Sequence, residues 1–163
     1  MDVVEAVAPL NDEACINHNK YSIEQRLRFY PFNRAEDVAL ISYRDAAVEA
    51  ELYAAKNKLP DLGQADNMVV LDRQEINDLT NTIFNTGYRE QVFVKTLAME
   101  CAAIKNAIVF LDRSGKPFEY ILLYFGCNQY GYSSEKVKDG DYCTGKFDLL
   151  KRHFIAKGVP TAP

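Results

Sequence analysis

The stretch Asn106–Cys127, NAIVFLDRSGKPFEYILLYFGC, holds two apolar runs joined by Asp112-Arg113-Ser114-Gly115-Lys116. Ile108 to Leu111 has no polar alternation, and neither does Tyr120 to Phe125. Runs of this length without alternation predict strands buried on both faces. Gly115 supplies the positive φ that a short connection needs, so the stretch reads as the central β-hairpin of the fold.

Working outward, the elements before the hairpin carry clear start signals. Ser22 followed by Gln25 has the form of a capping box, which predicts a helix from Ile23 to Phe29, and Pro31 stops it. Val38–Tyr43 reads as a strand, and Met68–Leu71 as a brief second one. Ala46–Lys56 has helical spacing, with Asp45 as its cap. Asp72 with Glu75 is a second capping-box form, and Ile76, Leu79, Ile83 and Phe84 make one apolar stripe that ends at Gly87. Gln91–Met99 fits a strand start with an irregular finish.

After the hairpin, Asn128–Tyr142 is polar, glycine-bearing and aromatic, and reads as a long loop. A last helix spans Thr144 to Lys157, with Phe147, Leu150 and Phe154 inward and Gly158 as its stop. Residues 1–20 read as an irregular arm, and 21–159 as one α+β domain. The expected fold is a mainly antiparallel sheet of four to five strands around the hairpin, packed by three to four helices.

The chain has 163 residues, 48% hydrophobic and 26% charged, which lies in the ordinary globular range and is long enough for one core. No apolar run reaches the roughly 18 residues of a membrane-spanning helix. A net charge of -4 with scattered Lys and Arg argues against a nucleic-acid partner. The acidic start MDVVEAVAPLNDEAC lacks the features of a secretory leader, so the cytoplasm is the default compartment. A mature exported chain whose leader had been replaced by Met1 would read the same.

Two groups of residues stand out for function. Asn128, Gln129, Tyr130, Tyr132 and Tyr142 bring tyrosines together with adaptable amides, which interaction surfaces favour. They point to a binding domain with a protein or small-ligand partner and no cofactor, and the bland alternative is that they cover the hairpin edge. The four cysteines are Cys15, Cys101, Cys127 and Cys143. Free cysteines are commonly reduced small hydrophobes. The alternatives are a disulfide between two of them, or a thiol-dependent or zinc site built from Cys101, Cys127 and Cys143. No C-x-x-C spacing supports zinc. His153 would lie about 15 Å along the helix from Cys143, too far for a direct pair. No phosphate loop, dinucleotide fingerprint or H-E-x-x-H occurs, and Asp139-Gly140-Asp141 reads as a solvated turn, so no catalytic residue is assigned.

The pattern from Asn106 to Tyr120, a cysteine just after the strand, the late Tyr142-Cys143 and the KFDLLKxxF helix resemble a set of short bacterial proteins of unknown function. Tyr30-Pro31-Phe32 and the helix around Ile76–Gly87 fit the same likeness, which covers roughly residues 22–158. It implies no activity and no site residue, though some such proteins are exported or lipid-anchored. The hairpin and last helix are also similar to the final third of a thioredoxin-like domain. The strand, C-x-x-C and helix that open that fold are missing.

Overall fold

The computed structural model describes residues 15–44, 65–87, 104–126, 129–141, 143 and 145–162. Within them lie seven strands and three helices, in an α+β arrangement. Strands β2 (Asp37–Tyr43), β3 (Asn67–Val70), β5 (Lys105–Leu111), β6 (Pro117–Tyr124) and β7 (Gln129–Tyr132) form one antiparallel sheet in the order β3-β2-β5-β6-β7. A two-stranded ribbon pairs β1 (Ile16–Asn17) with β4 (Thr86–Gly87). The helices are α1 (Ile23–Arg26), α2 (Arg73–Asn85) and α3 (Lys146–Ala156).

The hairpin lies at the heart of the sheet, as its apolar runs predict. All seven residues of β5 are buried, and so are the last six of β6. Gly115 adopts a φ of 77° in the turn, where the Asp112 carboxylate accepts the backbone N–H groups of Ser114 and Lys116. Alternation sorts the core into two faces. Leu40, Ile108, Phe110, Ile121 and Leu123 point to a first face, where Leu79 and Ile83 of α2 and Phe147, Leu150 and Phe154 of α3 cover them. Ile41, Tyr43, Val109, Leu122 and Tyr124 form the buried second face.

Both capping boxes are present: the Ser22 side chain accepts the Gln25 N–H, and Asp72 accepts that of Glu75. Helix α1 is a single turn, too short to stand alone. It is held by buried Arg26, which donates to the Tyr21 carbonyl (2.9 Å), to Thr80 Oγ1 (3.1 Å) and to the Asn77 side chain. Gly158, with a φ of 72°, ends the last helix as its sequence position predicts.

Two expectations change. Helix α2 stops at Asn85 rather than running to Gly87, which instead pairs with Ile16 in the β1–β4 ribbon. A Cβ on Gly87 would lie 2.8 Å from Asp141 Cβ, so glycine serves a close approach there. The second change concerns the aromatic segment: Gln129–Tyr132 is not a loop but edge strand β7, with Tyr130 opposite Leu123 and Tyr132 opposite Ile121. The expected elements at Ala46–Lys56 and Gln91–Met99, and most of the N-terminal arm, lie outside the described residues.

Candidate functional site

The side chains of Tyr130 and Tyr132 lie on the first face of the sheet, because each stands opposite a residue of that core. Their ring centroids are 5.3 Å apart, and Tyr130 stacks on Phe147 of α3 at 6.0 Å. Tyr130 remains 44% exposed. Tyr132 is more deeply set and donates its hydroxyl to the Asp139 carboxylate. Burial first, and then the charge and hydrogen bond of Asp139, raise the Tyr132 phenol well above its ordinary range, so it stays protonated and acts as a donor.

These rings border a cavity of about 40 Å³. Ile83, Ile108, Leu123 and Leu150 supply its apolar walls, and Tyr132, Asp139, Asp141 and Lys146 its polar end. Lys146 is the unexpected member. It occupies the first position of α3, where the helix dipole disfavours a cation. Its ammonium reaches instead to the C-terminal end of α2, donating to the Ile83 carbonyl at 2.6 Å and to the Asp141 carbonyl. Ile83 is among the four terminal carbonyls that a helix leaves without an internal partner. Lys146 therefore caps α2 from a neighbouring helix. Burial lowers its pKa to about 8 against the opposing pull of Asp139 and Asp141. The neutral amine keeps two N–H donors, enough for both carbonyls.

The segment that delivers Asp139 and Asp141 is fixed by close contact. Gly140 has a φ of 73°, and a Cβ there would lie 2.4 Å from the Ile83 carbonyl oxygen, so no other residue fits. The Asp139-Gly140-Asp141 turn is solvated as expected at Gly140 and Asp141, which are exposed, while its backbone at Gly140 also rests against the end of α2. Helix α2 receives a second cap from the arm, where the His18 N–H donates to the Asn85 carbonyl at 2.7 Å. Farther along, His153 Nε2 lies 2.9 Å from Thr82 Oγ1, and burial lowers its pKa against the pull of Asp78.

Cys143, at the entry to α3, is joined to Cys15 in a disulfide with a Cα–Cα distance of 5.6 Å. Cys143 is therefore not the reduced thiol expected of it, and its sulfur is committed to a partner outside the expected three-cysteine set. Cys101, Cys127, Asn128 and Tyr142 lie outside the described residues. Among the described residues no group of three or more His, Cys, Asp or Glu could hold a metal ion, and no helix is long and apolar enough to cross a membrane.

Of the sequence-predicted binding residues, the structure brings Tyr130 and Tyr132 to the cavity and sets Gln129 on the same strand. Lys146 and Asp139 were missed. The one local signal for Lys146 was a cation in the first turn of a helix. No protein-family model matches the chain, and neither a curated protein nor a solved structure matches it.

Proposed function

We propose that the protein is a binding domain that engages a partner through the β7 edge, with Tyr130 and Tyr132 as its anchors and Gln129 on the same strand. The observation that carries this reading is Tyr130: nearly half exposed, yet stacked on Phe147 and set beside Tyr132 at a cavity. A tyrosine already held in place offers contact area at little entropic cost. The size of the cavity favours one kind of partner. About 40 Å³ takes the tip of an aliphatic side chain, whereas pockets for whole ligands run to roughly 300–1,000 Å³. The reading is therefore of a protein partner that inserts one apolar side chain.

The test is affinity capture with the native chain and with Tyr130→Ala. Partners retained by the first and lost by the second are expected; retention of every partner by Tyr130→Ala overturns the reading.

The Cys15–Cys143 bond supports an oxidising compartment, and with it a mature exported protein rather than a cytoplasmic one. Counting free thiols in the protein isolated from its source under denaturing, non-reducing conditions checks this. Two missing thiols are expected, and four free thiols would restore the cytoplasmic reading. Stoichiometric zinc in the native protein, together with four free thiols once it is unfolded, would favour the alternative site at Cys101, Cys127 and Cys143, which needs Cys143 released from Cys15.

A further inference from the structure

Strand β3 closes the sheet on the side opposite β7, and among the described residues nothing pairs with its outer edge. The Leu71 N–H donates to the Val38 carbonyl at 2.9 Å, at the end of the ladder that joins β3 to β2. In an antiparallel pair alternate residues turn their backbone groups to the neighbour, so Met68 and Val70 turn theirs outward. Their side chains are 47% and 45% exposed, two of the four large hydrophobics so exposed among the described residues. Both lie on the side of the second face, opposite Ile41 and Ala39.

An open edge with two exposed apolar side chains is a template for an added strand, and soluble proteins normally blunt such edges with lysine, proline or a bulge. None of these occurs in Asn67–Val70. What brackets the strand is acidic: exposed Asp66 before it and exposed Asp72 after it. Arg73 does not cancel that charge on this side, since it borders a groove on the first face with Phe32 and Leu71.

We propose that the β3 edge binds an extended peptide segment by strand addition, and that the segment carries two apolar residues at alternate positions with a basic residue two places beyond each. The charges decide against a second copy of this chain. In the antiparallel self-pairing that sets Met68 against Val70 in both directions, Asp66 falls opposite Asp72, and like charges directly opposite are destabilising. A basic–x–apolar–x–apolar–x–basic segment reverses that term at both ends. The backbone of Met68 and Val70 supplies the ladder, and their side chains the apolar contact.

The experiment titrates fluorescent peptides into the native, oxidised full chain and follows anisotropy. The peptide KTVTVTK should bind saturably, and ETVTVTE at least about tenfold more weakly, a gap that narrows in high salt. Met68→Lys places a cation on an exposed side chain and should lower affinity for KTVTVTK by about tenfold while leaving the melting temperature in place. Methylating the peptide backbone at alternate nitrogens should abolish binding if a ladder forms. Absence of saturable binding, equal affinity for the two peptides, or indifference to backbone methylation overturns the proposal. A dimer of the native chain that Met68→Lys dissociates would overturn it too, by assigning the edge to a second copy. None of these outcomes depends on Tyr130, so the reading of the β7 edge stands or falls separately.

Discussion

At one edge of the sheet, β7 lays Tyr130 on Phe147 and ties Tyr132 to Asp139, whereas at the other, β3 leaves Met68 and Val70 open between two aspartates. The chain that follows each strand explains the contrast. After β7 comes a segment held against α2 by Gly140, and then α3, which packs beneath the tyrosines. After β3 the chain enters α2 at once through Asp72, and α2 covers the first face only. The lesson is that the finish of a strand edge depends on where the next element is sent, not on the strand's own residues.

Four measurements would sharpen or break that contrast. The largest effect is expected from replacing Cys15 and Cys143 by serine. In the chain-entropy account, closing a loop of this length contributes about 4–5 kcal/mol, and urea unfolding should show a loss of that order. Exchange of the Thr86 and Gly87 amides should accelerate before that of β3; a uniform change would break the contrast.

Next comes Lys146. Its folded pKa of about 8 lies below the 10.5 of the free side chain, so the unfolded chain holds more protons between these values. Stability should therefore rise with pH across that window relative to Lys146→Met, by on the order of 3 kcal/mol at full effect. A flat difference would show that Lys146 is not desolvated. Tyr132→Phe removes the donor to Asp139 and should cost about 2 kcal/mol in chemical denaturation. On the other edge, Met68→Lys should change stability by less than about 0.5 kcal/mol, because the Met68 side chain is 47% exposed and a lysine stem can cover the same apolar surface. Equal costs for these two substitutions would erase the distinction between the edges.

Much of the frame was legible in the sequence because its signals are local. The unalternating runs of β5 and β6, Gly115 between them, and the two capping boxes each lie within a few residues and were read correctly. What was missed depends on partners far along the chain. Gln129–Tyr132 contains glycine and polar residues and has no strand signature of its own; its state follows from pairing with β6. Gly87 carries the mark of a helix stop, yet the arm competes for it and wins. No spacing rule connects Cys15 with a cysteine 128 residues away. At the site, residue type was enough to single out Tyr130 and Tyr132. Asp139 and Lys146 needed the end of α2 to be in view.

The bond between Cys15 and Cys143 also changes what a cut in this chain means. Everything between the two cysteines is a covalent ring. A protease that cleaves one peptide bond within the ring opens it without dividing the molecule. The two pieces travel together through any non-reducing separation and part only when the sulfurs are reduced. For a protein that meets proteases, a single nick is survivable by construction, and it takes a second cut to release a fragment.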